Sequence, residues 1–176
     1  MEPKAPLARC DECPLRDQPF VPPEGPSRAD RVVVGQAPGA KEVEAGRPFV
    51  GPAGEVLNRE LGPERLTVYV TNTVLCCPQR NKKPSIRAVC ACHDRLIQEL
   101  KGRRPKKVLV LGEVASSALL DDFSATIADL RDNNPHRCTL LGNDVQVFGT
   151  YHPAAVLRNP NLEPMLATDI RRLLDP

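Results

Sequence analysis

Short apolar runs, each closed by glycine or proline, set the rhythm of this chain. Val32-Val33-Val34 opens directly onto Gly35-Gln36-Ala37-Pro38-Gly39. A wholly apolar run bounded in this way reads as a strand buried on both faces. Leu66-Thr67-Val68-Tyr69-Val70-Thr71 is rich in β-branched residues and predicts a second strand, with Asn72 at its C-terminal end. Lys107-Val108-Leu109-Val110-Leu111-Gly112 predicts a third, and the alternation in Val145-Gln146-Val147-Phe148-Gly149-Thr150 a fourth. Between the strands the spacing turns helical. Val56, Leu57 and Leu61 predict a helix over 54–61 that Gly62 and Pro63 end. Ser85 is placed to cap a helix reaching Gly102, with Ile86, Val89, Leu96, Ile97 and Leu100 apolar. Glu113–Leu120, rich in Ala and Leu, predicts another, and a last helix covers Pro164 to Leu174.

Strands that alternate with helices imply an α/β fold with a parallel sheet. Three polar residues, Gln36, Asn72 and His152, each follow the C-terminal end of a strand. In such a sheet those ends border one crevice, where ligands bind. The stretch 35–39 and its continuation Gly46-Arg47-Pro48-Phe49-Val50-Gly51-Pro52-Ala53-Gly54 are too rich in Gly and Pro to form a regular element. Asp132-Asn133-Asn134-Pro135 reads as a loop, and Gly142-Asn143-Asp144 as a turn between short strands.

The 176 residues are enough for one domain with its own core, spanning 1–176. A net charge of +2 argues for no partner by itself, but Arg80, Lys82 and Lys83 form one basic cluster and Lys101 to Lys107 another. Such clusters suit a phosphate backbone as well as a solvated face. No apolar run approaches membrane-spanning length and no secretory signal is visible, which predicts an intracellular, cytoplasmic protein without membrane contact.

In that compartment seven cysteines point to metal or cluster ligation rather than to disulfides. Cys10-Asp11-Glu12-Cys13 lies in a segment, 1–30, that has no periodicity and needs an anchor. Zinc and a [4Fe–4S] cluster both accept four thiolates, and the long separation of Cys76 from Cys92 favours the cluster. Spacing alone does not choose among Cys76, Cys77, Cys90 and Cys92; Cys138 reads as an inert buried thiol.

These features together resemble a known family. CxxC, GxAPG, GRPFVGxAG, TN-x₃-C-x-P, a further Cys and HPAAxLR occur here in the order found in the family 4, iron–sulfur, uracil-DNA glycosylases. The resemblance covers Cys10 to Arg158. It implies a three-layer α/β/α sandwich with a central, mostly parallel four-stranded sheet. It also implies base-excision repair by a monomeric hydrolase acting on uracil in single- or double-stranded DNA at the nucleoid. Cys10, Cys13, Cys76 and Cys92 match the ligands of a structural [4Fe–4S] cluster that would anchor 1–30. Uracil-binding roles fall on Ala37, Phe49, Asn72 and His152. Phe49 matches the stacking aromatic, and Asn72 the amide that donates to O4 and accepts from N3–H, so that cytosine is rejected. His152 matches the donor to O2, assisted by loop N–H groups as the departing base gains charge. Leu157 and Arg158 fall in the segment that wedges into the duplex.

The chain departs from the family's pattern at its loop. The family has a carboxylate where this sequence has Gln36, and Glu-Asp where it has Glu42-Val43. Gln36 and His152 stand as the catalytic pair, but an amide orients water without taking its proton, which implies reduced or altered activity. Glu42 and Glu44 are the nearest acids in sequence, each readable as an exposed loop residue. The region Asp121–Pro135 holds no basic run, so covalent trapping of DNA is not expected. Two alternatives follow: a non-catalytic module that binds uracil-DNA or single-stranded DNA, and a deaminated-base glycosylase of broader range.

Overall fold

The computed structural model describes residues 2–120, 126–131, 136–138, 141–142 and 144–176. The elements run β1 (Arg31–Gly35), α1 (Ala40–Ala45), α2 (Pro52–Leu61), β2 (Tyr69–Asn72), α3 (Ile86–Arg103), β3 (Lys107–Leu111), α4 (Glu113–Leu120), α5 (Ile127–Arg131), β4 (His136–Arg137), β5 (Gln146–Thr150), α6 (Pro153–Arg158) and α7 (Glu163–Leu174). The sheet order is β2-β1-β3-β5-β4. The first four strands pair in parallel; the two-residue β4 pairs antiparallel with β5 at the edge.

Alternation along the strands builds the layers. Val32, Val34, Val108, Val110 and Val147 pack with α3, α4 and α5 on one face. Val33, Val70, Leu109, Leu111 and Phe148 pack with α2 and α7 on the other. Both faces are covered, as a parallel sheet requires, and the result is the expected α/β/α sandwich.

Several expectations change. The second strand starts at Tyr69, not Leu66. A 3₁₀ turn over Gly62–Leu66 occupies its predicted start, with the Thr67 hydroxyl donating to the Glu64 carbonyl, and Leu66 is exposed. The loop after β1 does make room for a regular element, the short α1, between its two Gly-rich parts. Ile86, read as part of an apolar face, sits at the first turn of α3 in solvent. Within the 121–144 region, residues 121–125, 132–135, 139–140 and 143 lie outside the described residues, and the loop at 132–135 and part of the turn expected near 142–144 fall on them.

The N-terminal segment holds no helix or strand, but its main chain is tied to the sheet's edge. Val21 N–H donates to the Leu75 carbonyl, Cys77 N–H to the Pro19 carbonyl, and Glu24 and Val70 exchange two bonds.

Candidate active site

The chain leaves β1 for β2 on one side of the sheet and returns to β3 on the other. A crevice therefore opens at the C-terminal ends of these strands. A cavity of about 360 Å³ lies there, of ligand-pocket size. It is lined by the loop 36–39, Glu42, Phe49, Asn72, Asn81, Lys82, His152 and Arg158, among others. The crevice expected from sequence is present, and Gln36, Ala37, Phe49, Asn72, His152 and Arg158 share it. Leu157, next along α6, is half exposed to solvent.

Each side chain is placed by its element. Asn72 pairs with Gly35 in the sheet register. A Cβ at position 35 would lie 2.5 Å from Asn72 Oδ1 and 2.6 Å from Phe49 Cζ, so only glycine leaves room for the ring and the amide. The Asn72 side chain makes no hydrogen bond to any described residue, while its carbonyl accepts from Arg95 Nη2 at 2.8 Å. Arg95 is buried in α3 and also reaches the Thr73 carbonyl at 2.7 Å. It fixes the main chain that carries the amide.

Phe49 is buried and its φ is +56°, in the left-handed region that side chains seldom adopt. Its carbonyl accepts from Asn58 Nδ2 at 2.9 Å. Asn58 is in turn held by Arg65, and Arg65 shares Glu24 with Arg47. The hydrogen bond from Arg47 is the main reason that the Glu24 carboxyl titrates below its ordinary value.

His152 caps α6, its Nδ1 accepting from the Ala154 N–H at 3.1 Å. That bond leaves the ring's single proton on Nε2. Burial, reinforced by the nearby Arg158 charge, depresses its pKa to about 4. At neutral pH the ring is therefore an uncharged Nε2–H donor. The His152 Cβ rests 3.2 Å from where a Cβ of Gly112 would stand, at φ +81° just beyond β3.

The two acids near the loop divide. Glu44 is exposed and pairs with Lys41 at 2.9 Å. Glu42 is not an exposed loop acid: its carboxylate accepts from the Gly39, Val50 and Gly51 N–H groups at 3.1, 3.0 and 2.7 Å. Those three loop N–H groups are committed to Glu42. Lys82 and Arg158 make the rim cationic.

The cysteines form a second locality. Cys13 and Cys76 are buried, Cys10 and Cys92 half-buried, and among the described residues no cysteine is in a disulfide. Burial pushes the Cys76 thiol up to about 11, with Lys4 opposing and the charges of Cys92, Cys13 and Cys10 adding to the rise. Cys13 is raised mainly by burial and feels Cys92 and Cys10. Cys77 is raised by burial and then by Glu42, a different neighbourhood, and Cys90 is exposed. Cys138 is buried and donates to the Leu119 carbonyl. The Lys4 main-chain N–H lies 3.4 Å from Cys10 Sγ and its ammonium 3.9 Å from Cys76 Sγ. Among the described residues, no three His, Cys, Asp or Glu side chains are closed around a single-ion position.

Sequence reasoning missed Arg95, Asn58 and the three-way role of Glu42. An arginine on an amphipathic helix reads as surface, and only the fold shows Arg95 under the end of β2.

The uracil DNA glycosylase superfamily model matches residues 22–174. A type-4 uracil-DNA glycosylase of Pyrobaculum aerophilum is 37% identical, the match covering 97% of this chain and 94% of that protein. One from Saccharolobus solfataricus is 34% identical over 95% of this chain and 81% of its own length. A type-5 uracil-DNA glycosylase of Pyrobaculum aerophilum is 32% identical, over 85% of this chain and 71% of that protein. With the family model spanning the sheet and every wall of the cavity, the chain belongs to the uracil DNA glycosylase superfamily, and its likeness is greatest to the type-4 relatives among these.

Proposed function

We propose that this protein removes uracil from DNA by hydrolysing the N-glycosidic bond. One observation carries the reading: a buried ring, an unpartnered amide and a neutral histidine donor converge on one cavity at the strand ends. Uracil turned out of the stack would lie on Phe49. Asn72 would donate to O4 and accept from N3–H, and cytosine presents the reverse pattern at those atoms. The C1′–N1 bond then breaks with its electron pair passing to the pyrimidine. His152 Nε2–H donates to O2 as charge builds there. Gln36 orients the water that adds to C1′; that water's proton ends on uracil or in solvent, leaving an abasic site. Leu157 is exposed where it can enter the gap left by the base, and Arg158 and Lys82 suit the flanking phosphates.

Cys10, Cys13, Cys76 and Cys92 fit a [4Fe–4S] cluster as a donor set: four thiols that feel one another's charge, one pair on the N-terminal segment and one flanking the 76–92 stretch. When bound, the cluster supplies a cross-link between the N-terminal segment and α3, not a chemical step. The reading has a single domain acting as a monomer on DNA inside the cell.

Gln36, and a Glu42 whose carboxylate ties the loops together, favour a second reading, a module that binds uracil-DNA without cutting it. A uracil-release assay on single- and double-stranded DNA separates the two. Release well above that of His152→Ala supports the enzyme. Tight binding of uracil-DNA with no release at high protein supports the module.

A further inference from the structure

Glu42 sits at the third position of α1, where a glutamate ordinarily bonds back to the N-cap N–H and does nothing more. Here Oε2 does that, accepting from Gly39 at 3.1 Å. Oε1 crosses to a different loop and accepts from Val50 at 3.0 Å and Gly51 at 2.7 Å. Those two N–H groups immediately follow Phe49. The carboxylate therefore ties the turn bearing Gln36, Ala37 and Pro38 to the loop bearing the ring.

Phe49 needs such a tie. Its left-handed backbone is strained for a residue with a side chain and persists only where neighbours over-determine it. Asn58 holds the carbonyl on one side of the residue. Gly54 lets the chain pass, since a Cβ there would lie 2.1 Å from the Phe49 carbonyl carbon. Glu42 holds the N–H of that same peptide unit, from Val50, and the next one, from Gly51. The ring then reaches over Gly35 towards Asn72 Oδ1, so the same backbone sets the gap between ring and amide.

We infer that Glu42 is a positioning residue: its carboxylate holds Phe49 at the spacing from Asn72 that a flat pyrimidine needs, and it does not serve as the reaction's base. Three N–H groups share the carboxylate, two on Oε1 and one on Oε2, so its charge is committed to the two loops. The ligand part of this inference rests on the uracil reading of the cavity; the part about Phe49 does not.

The test uses full-length protein labelled with 4-fluorophenylalanine, whose four positions are Phe20, Phe49, Phe123 and Phe148. Phe49→Leu assigns the Phe49 fluorine signal. In Glu42→Gln that signal shifts or splits while the signals of Phe20 and Phe148 hold. Affinity for free uracil falls about tenfold, the scale of one charge-assisted hydrogen bond, while affinity for undamaged DNA is unchanged. Gly51→Ala, whose Cβ would stand 3.1 Å from Glu42 Oε1, gives a smaller shift in the same direction and covers the case in which Glu42→Gln fails to fold. An unmoved Phe49 signal with wild-type uracil affinity in a folded variant overturns the inference. So does a general loss of stability with the Phe49 signal in place. If wild type binds no free uracil, the uracil reading fails, and the fluorine signal still decides what Glu42 does.

Discussion

The base pocket and the cysteine region are held by different means. In the pocket, Asn72 lies in the sheet register, Arg95 grips two carbonyls beside it, and the peptide that follows Phe49 is held at both its carbonyl and its N–H. The fold supplies every one of these restraints. The cysteine region has a segment without helix or strand, joined to the rest by a few main-chain bonds, such as Arg9 N–H to the Ala91 carbonyl. Its thiols are raised by burial and by one another, so their thiolates need a positive partner. The pocket is held by hydrogen bonds within the fold, whereas the cysteine region, on the proposed reading, is completed by its cluster. The two regions meet where Asn81 Oδ1, on the 76–92 stretch, accepts from Ala40 N–H at 3.1 Å.

The comparison can be broken in order of expected effect. Gln36→Glu restores a carboxylate in the rigid region without touching the cysteines. It should raise the single-turnover rate of uracil release by about 10²–10⁴, the usual contribution of a general base. No gain would mean that Gln36 is not what limits the chemistry.

Cys76→Ser probes the other region. It should abolish the broad visible absorbance of an iron–sulfur cluster and make residues 2–30 the first to be cut in limited proteolysis. Free-uracil binding should stay near wild type. Loss of uracil binding together with the cluster would show that the pocket depends on the clamp.

The smallest effect is with pH. His152 is depressed from 6.5 to about 4 by burial, while the unfolded ring takes its proton near 6.5. Its contribution to stability is therefore complete above pH 6.5 and is lost as pH falls towards 4. The rate profile should show no inflection near 6.5 and should decline only on approach to pH 4. A midpoint near 6.5 that vanishes in His152→Ala would contradict the neutral donor.

The strands and the long helix were legible because each depends on its own apolar spacing. The runs at Val32 and Lys107 report burial on both faces with no reference to the rest of the chain. Leu66 misled because its β-branched neighbours outweighed the turn-forming Gly62-Pro63, which sets a 3₁₀ turn before the strand. The short helices α1, α5 and α6 have five or six residues, too few for a helical period to emerge. In the site, Asn72 and His152 could be placed at the crevice because they follow strand ends, and Phe49 only through the motif that carries it. Arg95, Asn58 and the second oxygen of Glu42 were not legible, since each acts on a carbonyl or N–H group that only the fold brings near.

The central claim is that Asn72 reads the Watson–Crick edge of a uracil held against Phe49. Its most direct test is base release from matched oligonucleotides carrying one uracil or one cytosine, under single turnover, for wild type and Asn72→Ala. The account predicts uracil release by wild type, no cytosine release, and a uracil rate at least about tenfold lower in the variant, the loss expected when one base-reading amide goes. Equal release of both bases by wild type, or an unchanged uracil rate in Asn72→Ala, would contradict it.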